Sequence, residues 1–160
     1  MRQHKKYEKP RRPWDRTRIE AEKKIKQTYG LRRKKEIWRA ESILRNYRRQ
    51  ARNLAAKKDK EKEKILLEKL VKIGLLNSGA DLDDVLVLNV ENLLERRLQT
   101  LTFKKGIART PKQARQLIVH GHVAIDGRRV RWPGAIVPVS EEGKIKFYGK
   151  EVGVKNETKS

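Results

Sequence analysis

Cysteine is absent from this 160-residue sequence, and acidic residues are scarce, with 20 Asp and Glu against 42 Lys and Arg. The lack of cysteine excludes zinc ribbons, thiol nucleophiles and disulfide frameworks, and nothing in the sequence indicates an oxidising compartment. No apolar run is as long as a membrane-spanning helix, and the first residues lack the apolar segment of a secretory signal peptide. We therefore expect a soluble cytoplasmic protein that has no membrane partner.

Hydrophobic residues are also in short supply. They make up 36% of the chain, whereas 39% of the residues are charged, so any buried core must be small and local. The formal net charge of +22 opposes compaction through self-repulsion and favours an anionic partner, above all a phosphate backbone. The alternative interpretation of this charge is a basic tail on an otherwise neutral protein.

The positive charge is concentrated in two parts of the sequence. Residues 1–60 carry a net charge of +16, residues 61–90 a net charge of −2, and residues 91–160 a net charge of +8. A chain of this length is sufficient for one ordinary domain or two small ones. The pattern predicts two basic regions on either side of a nearly neutral centre.

Residues 1–30 are predicted to form a basic extended arm with a short helix. The segment MRQHKKYEKPRRPWDRTR contains two prolines and no hydrophobic periodicity, and such arms usually become ordered only on a partner. Trp14 lies among arginines, where its ring could stack on an RNA base. The equally weighted alternative is that Trp14 holds the arm against the neighbouring helices. The short helix is predicted over residues 17–28.

A helical region is predicted over residues 31–90. Apolar residues recur at three- and four-residue steps over residues 34–58, which is typical of an amphipathic helix, and its other faces are rich in arginine. A second helix is predicted over DKEKEKILLEKLVKIGLL, with its end near Gly74, and the two helices are expected to pack together. The loop at residues 77–84 is predicted to join the two parts of the chain.

The sequence after residue 90 combines helix signals with a β-hairpin signal. VENLLERRLQTLTFKKG places five apolar residues on one helical face. Thr110 is a favourable N-cap for the next helix, and Gln113 is placed to complete a capping box with it. Asp126-Gly127 is a two-residue hairpin turn, which pairs Ile125 with Arg128 and, one step further, Ala124 with Arg129.

These elements predict an α+β fold. A small module over residues 91–150 packs two helices on a short antiparallel sheet, to which AIVPV and KIKFY are expected to add two strands, and residues 151–160 form a short tail. In the helix that starts at Thr110, the apolar residues lie on the side that packs inward and cations lie on the other side. We expect those cations and the arginines of the hairpin to share one surface that follows phosphates and recognises the shape of folded RNA.

The module resembles a known family of RNA-binding domains. From about Leu93 to Tyr148 it is similar to the S4 domain, also called the alpha-L domain, and the resemblance lies in ERRLQTLTFKKGIARTPKQARQLIVHGHVAIDGRRV. KYEKPRRPW and YGLRRKKEIWRAESILRNYRRQARNL extend the resemblance over nearly the whole chain, to the archaeal form of the S4 family of ribosomal proteins. Some bacterial members carry metal-binding cysteines near the N-terminus, which this chain does not have.

The resemblance implies a structural constituent of the small ribosomal subunit in the cytoplasm. Such a primary ribosomal-RNA-binding protein nucleates assembly of the subunit body and supports translational accuracy. The implied neighbours are other small-subunit proteins, among them the S5 family, and messenger RNA where it enters the subunit. We expect no enzymatic activity, no cofactor and no homo-oligomer.

The predicted RNA-binding residues come from three parts of the sequence. In the arm and the helical region they are Arg11, Arg12, Trp14, Arg32, Arg33, Arg45, Arg48, Arg49 and Arg52. In the module they are Arg97, Lys104, Lys105, Arg109, Lys112, Gln113, Arg115, Gln116, His120, Arg128 and Arg129. The resemblance implies the module residues, except that the two lysines are chosen because they lie off the apolar helical face.

Other functions are less well supported by the residue patterns. His120 and His122 could be a metal-binding pair, but no further cysteine or histidine lies nearby. Asp83 and Asp84 could bind Mg²⁺, although adjacent carboxylates before an apolar run more often start a helix. No catalytic set stands out, and nothing of domain size remains for a catalytic fold. The functional alternative is an S4-domain quality-control factor that binds ribosomal RNA reversibly.

Overall fold

The computed structural model describes residues 7–149, and the chain divides into two compact units after Arg96. Within the described residues, the first unit contains α1 (Arg16–Thr28), α2 (Lys35–Lys57), α3 (Lys60–Ile73), α4 (Leu82–Val87) and α5 (Val90–Glu95). The second unit contains α6 (Leu98–Lys104), α7 (Pro111–Val119), β1 (Val123–Ile125), β2 (Arg128–Arg129), α8 (Val139–Glu142) and β3 (Ile145–Phe147). The predicted α+β class is confirmed. The tail predicted over residues 151–160 lies outside the described residues.

The long helix α2 is the centre of the first unit. Its buried side chains Ile37, Ala40, Leu44 and Ala51 recur at steps of three, four and seven residues, so one stripe of the helix faces the core. Helices α3, α4 and α5 all pack against α2. The three helices predicted in this part of the chain are confirmed, with ends that differ from the prediction by only one or two residues.

A buried carboxylate links α1 to α2. Glu22 is 3% exposed, and its Oε1 accepts a hydrogen bond of 3.0 Å from the indole nitrogen of Trp38. Glu22 also forms ion pairs with Arg18 and, at 3.3 Å, with Lys34. Burial by itself raises the pKa of Glu22, but the hydrogen bonds from Trp38 and Lys34 and the charge of Arg18 outweigh burial and hold the pKa below its ordinary value of 4.5.

The substitution Glu22→Gln is expected to destabilise the first unit at neutral pH. Because the folded-state pKa of Glu22 is lowered, its ionisation stabilises the fold above the ordinary pKa, and this stabilisation is lost as the pH falls through the lowered value. We expect the free energy of unfolding to fall by about 1–3 kcal/mol at pH 7, with a much smaller effect at pH 2. Urea unfolding at both pH values measures this, with the exposed Glu20→Gln as control. Equal losses at the two pH values would show that the charge of Glu22 is not the cause.

The described part of the arm lies against α1 and α2. The Arg18 guanidinium donates to the backbone carbonyls of residues 12 and 13, both at 3.0 Å. The ring of Tyr7 lies 6.0 Å from the ring of Trp38. Trp14 itself is 88% exposed. The interpretation that Trp14 holds the arm in place is therefore wrong, because Arg18 and Tyr7 make those contacts.

The second unit packs its helices on an antiparallel sheet with the strand order β2-β1-β3. The predicted hairpin register is confirmed, with Ile125 opposite Arg128 and Ala124 opposite Arg129. The turn Asp126-Gly127 has φ angles of 52° and 78°, the positive values that a two-residue hairpin loop requires. The core consists of Leu98, Leu101, Ile118, Val123, Val137 and Ile145.

The prediction of a single helix over VENLLERRLQTLTFKKG is wrong, because the segment forms two helices. Its α5 part ends at Glu95, and Arg97 takes an extended conformation (φ −75°, ψ 143°) and forms a β-bridge with Ile136. The first amide of α6, on Leu98, donates to the carbonyl of Ala135 at 2.8 Å. The contacts with Ala135 and Ile136 interrupt the helix at Arg97. These residues lie almost forty positions further along the chain, so helical periodicity could not indicate the interruption.

The boundary between the units lies later in the chain than the sequence indicates. The predicted joint at residues 77–84 already contains the start of α4, and α5 packs against α2 in the first unit. The second unit accordingly begins at Arg97, whereas the module is predicted from residue 91.

The segment AIVPV is not a strand of the sheet. Only Ile136 forms a β-bridge, and Pro138 is the N-cap of the short helix α8. Proline has no amide hydrogen to donate to a strand ladder, and its fixed φ suits the start of a helix. The segment KIKFY contains β3, as predicted.

Candidate nucleic-acid interface

Helix α7 positions the central cations of the predicted surface. The Thr110 hydroxyl accepts a hydrogen bond from the Gln113 amide at 3.1 Å, as an N-cap does. The Gln113 side chain accepts from the amide of Arg109 at 2.8 Å. The second half of the predicted capping box is therefore shifted by one residue. Ala114 and Ile118 are fully buried, so the predicted inward face of this helix is confirmed.

A buried glutamine that sequence reasoning missed holds Arg115 in place. The Oε1 of Gln99 on α6 accepts a hydrogen bond from the Arg115 guanidinium at 3.4 Å, and its Nε2 donates to the carbonyl of Pro111 at 2.9 Å. Gln99 thus fixes both the first turn of α7 and the half-buried Arg115. Lys112 and Gln116 are exposed on the same helix. No sequence signal distinguishes this buried glutamine from an exposed one.

One face of the sheet combines cations with aromatic rings. Ala124 pairs with Arg129 on β2 and with Lys146 on β3, so these two cations lie on the same face. Tyr148, two residues after Lys146, continues that face. The His122 ring instead stacks on Phe147, with the ring centres 5.7 Å apart. The Arg129 guanidinium lies 4.3 Å from the centre of the Tyr148 ring, in a cation–π contact.

This face extends to the C-terminal end of α7. Gly121, with a φ of 78°, follows the helix, and a Cβ at this position would lie 3.4 Å from Nε of Arg131 and 3.8 Å from Cδ of Arg129. The rings of His120 and His122 lie 6.5 Å apart in a stacked arrangement. The structure therefore brings Arg129 near the end of the helix that carries His120. Sequence reasoning missed Arg131, although its spacing of two residues from Arg129 could have indicated it.

Two predicted residues do not join this surface. Arg128 pairs with Ile125 and therefore points to the opposite face of the hairpin from Arg129, which corrects the prediction that the two arginines share one side. Arg97 is only 9% exposed, and its guanidinium lies 3.0 Å from the position that a Cβ on Gly134 would take. Three further predicted cations of this unit are exposed: Lys104 at the end of α6, and Lys105 and Arg109 between α6 and α7.

The first unit has a second cationic surface on α2. At 100° per residue, Arg45, Arg49 and Arg52 lie within an arc of about 60° on one flank of the helix, and all three are exposed. Arg45 forms an ion pair with Glu8 in the arm. Arg32 and Arg33 precede α2, and Arg11 and Arg12 are in the arm; all four are exposed.

Arg48 has a structural role that the sequence does not indicate. It is half-buried, and its guanidinium donates to the backbone carbonyl of Leu88 between α4 and α5. It thereby fixes these short helices to α2, and only part of its guanidinium can reach a ligand.

The chemistry of these surfaces suits a nucleic acid. Arginine and lysine neutralise phosphates, and exposed rings beside them can stack on bases. Among residues 7–149, no group of three or more His, Cys, Asp or Glu side chains is arranged to hold a metal ion. No helix in the described part of the chain has the length and apolarity to cross a membrane.

Comparisons with known proteins agree with the resemblance seen in the sequence. The model of the S4 domain matches residues 96–142, and that of the ribosomal protein S4/S9 N-terminal domain matches residues 1–95. The small ribosomal subunit protein uS4 of Methanothermobacter thermautotrophicus is 52% identical over 148 residues, which is 90% of this chain and 86% of that protein.

Two further proteins of the same name are equally similar. The uS4 protein of Sulfurisphaera tokodaii is 53% identical over 90% of this chain and 84% of its own length. That of Methanoregula boonei is 49% identical over 92% of this chain and 84% of its own length. With both parts of the chain matched and about half of the residues identical, this chain belongs to the uS4 family of small-subunit ribosomal proteins.

Proposed function

We propose that this protein is a structural constituent of the small ribosomal subunit and binds its ribosomal RNA. The observation that carries the proposal is at the end of α7, where Gly121, next to His120, lies beside Arg129, and Arg129 contacts the ring of Tyr148. On the same helix, Arg115 is held by Gln99 and Lys112 is exposed. Cations and rings on a folded scaffold suit the recognition of a shaped RNA rather than of a base sequence. Because the chain belongs to the uS4 family of small-subunit proteins, we infer that this RNA is the ribosomal RNA of the small subunit.

The finer parts of the function follow from the same family. The protein acts as a primary binder that nucleates assembly of the subunit body, and it supports translational accuracy where messenger RNA enters the subunit. Its neighbours there include ribosomal proteins of the S5 family, and its location is the cytoplasm. The RNA contacts are made by the exposed members of the predicted set on α2, on α7 and in the hairpin.

The names of the relatives favour this function over a reversible quality-control factor. All of those described above are named as proteins of the small subunit and match about nine-tenths of this chain. Ribosomal proteins are a structural class, and the lack of an enzymatic activity in this chain stays an expectation.

Filter binding tests the function directly. At near-physiological salt, the full chain is expected to bind small-subunit ribosomal RNA about 1,000-fold or more tightly than an arbitrary RNA duplex, as specific nucleic-acid-binding proteins do. Equal affinities for the two RNAs would contradict the proposal.

The substitution Arg115→Ala is expected to weaken binding to small-subunit RNA by about 1–3 kcal/mol, because a guanidinium held by Gln99 loses little freedom on contacting phosphate or base. The free energy of unfolding should change much less, since Arg115 is only half-buried. Filter binding and urea unfolding of the same preparations separate the two effects. Lys69→Ala, an exposed cation on α3 outside the predicted set, is the matched control and should leave RNA binding unchanged.

A further inference from the structure

One segment of this basic protein contains no basic residue at all. Residues 73–95 lack lysine and arginine, which account for 42 of the 160 residues, and no other stretch without them is as long. The same segment carries five acidic residues, all exposed: Asp81, Asp83, Asp84, Glu91 and Glu95. A surface of this charge repels the phosphates of RNA, so the proposed function does not account for it.

The segment surrounds a groove of about 420 Å³ in the first unit. Helix α3 ends at Gly74, which has a φ of 81°, and the amide of Leu75 donates back to the carbonyl of Leu70 at 3.0 Å. This C-cap turns the chain away from the helix axis. The residues that follow, up to Ala80, line the groove together with α4, Leu88 and Asn92.

The lining of the groove is apolar and polar, with one acidic residue, Asp84. Leu75 and Leu88 are buried in its lining, whereas Val87 is 74% exposed. Asp83 and Val87 are four residues apart on α4 and therefore lie on the same face of that helix. Asp84 also lines the groove, and its carboxylate accepts the amide of Asp81 at 2.9 Å, so it is held in place.

We propose that this acidic groove, lined by residues 75–80, 84, 87, 88 and 92, binds a segment of a neighbouring protein that is rich in lysine and arginine. An apolar side chain of that segment packs on Val87, and its cations face Asp83 and Asp84. The charge of the segment that surrounds the groove selects a basic partner and rejects RNA, and the exposed valine supplies an apolar contact that a polyanion cannot use. The proposal rests on the proposed function, because it places the groove within an assembly of RNA and proteins.

Photocrosslinking within assembled small subunits tests the occupant. The protein carries p-benzoylphenylalanine in place of Val87 or, as a control, in place of Ile65, which is 65% exposed on α3 and does not line the groove. Purified subunits are irradiated, and crosslinked peptides and nucleotides are identified by mass spectrometry and primer extension. We expect the probe at position 87 to crosslink to one protein segment of net positive charge, and the probe at position 65 to miss that segment. A crosslink from position 87 to ribosomal RNA, or none, would overturn the proposal.

A pair of matched substitutions tests the energetics. Val87→Lys removes the apolar contact and adds a charge that repels a basic partner, whereas Ile65→Lys adds the same charge elsewhere on an exposed helix position. After a salt wash, subunits that carry Val87→Lys are expected to retain about fivefold less, or lower, of the neighbouring protein identified by crosslinking. Substitution of a central interface residue has an effect of this size. Ile65→Lys should leave the neighbour in place, and both variants should bind small-subunit RNA equally well.

Equal retention of the neighbour in the two variants would overturn the groove proposal alone. Absence of the unmodified chain from small subunits would instead contradict the proposed function, and the groove proposal with it.

Discussion

The substitution Ile118→Ala is expected to lower the free energy of unfolding of the second unit by about 2–5 kcal/mol. Ile118 is fully buried on α7 and belongs to the small core cluster with Leu98 and Val123. Truncation loses the transfer free energy of the removed methyl and methylene groups and leaves a cavity that so small a core cannot easily fill. Urea unfolding, followed through amide signals of residues 97–149, measures the change in this unit separately from the first.

The adjacent residue provides the control for this prediction. Val119 is 51% exposed, so Val119→Ala should change the free energy of unfolding by about 0.5 kcal/mol or less. Similar losses for the two variants would mean that the inward face of α7 has been assigned wrongly, and with it the outward position of Arg115.

The affinity for small-subunit RNA is expected to fall by about 10³–10⁵ between 50 and 200 mM salt, because six to ten phosphate contacts release that many counterions. The exposed cations of α2, α7 and the sheet are numerous enough to make these contacts. Filter binding over a series of salt concentrations gives the slope of log K against log salt.

A triple substitution assigns part of this slope to α2. Replacing Arg45, Arg49 and Arg52 with glutamine should reduce the slope by about two to three, at roughly 0.7 to 0.9 for each phosphate that the variant no longer neutralises. The matched control replaces Lys60, Lys64 and Lys69 on α3 with glutamine. It removes the same charge from residues outside the predicted RNA-binding set, so it should leave the slope nearly unchanged. Equal changes in the two triple variants would show that net charge alone, and no particular flank of α2, governs binding.

The elements that sequence reasoning predicts correctly are those with strong local signals. Thr110 accepts the hydrogen bond of an N-cap only three residues away, and the backbone of Asp126-Gly127 is restricted to the turn that its two residues favour. The long helix α2 has four buried residues in one stripe, a pattern typical of an amphipathic helix. These signals depend only on residues close in sequence, so the elements that they indicate can be predicted without knowledge of the tertiary structure.

The errors arise where a distant partner decides the conformation. Helical periodicity continues through Arg97, but the β-bridge to Ile136 and the hydrogen bond from Leu98 to Ala135 hold the chain in an extended conformation there. Glu22 follows the same rule. Its charge favours an exposed position, whereas in the structure it is buried and accepts a hydrogen bond from Trp38, sixteen residues further on.

The candidate site could be predicted in outline but not residue by residue. A cluster of arginines indicates a cationic face, yet the sequence treats Arg48 and Arg52 alike, and only the structure shows that the guanidinium of Arg48 holds a backbone carbonyl. Arg131 illustrates the opposite case, because strand alternation from Arg129 places it on the predicted surface although the hairpin motif ends before it.

The proposed function and the acidic groove divide the surface of this protein by charge. The flank of α2 and the surface of α7 and the sheet carry mainly cations, while the charged residues of segment 73–95 are all acidic. Since RNA and basic proteins are recognised by opposite charges, one chain can bind both without competition between them.

The distribution of the protein in a sucrose gradient tests the central claim most directly. A structural constituent of the small subunit should sediment almost entirely with that subunit, at about one copy for each small-subunit RNA, and should stay there through a wash at moderate salt. A protein found mostly in the free fractions, or bound to subunits at far less than one copy each, would contradict the account.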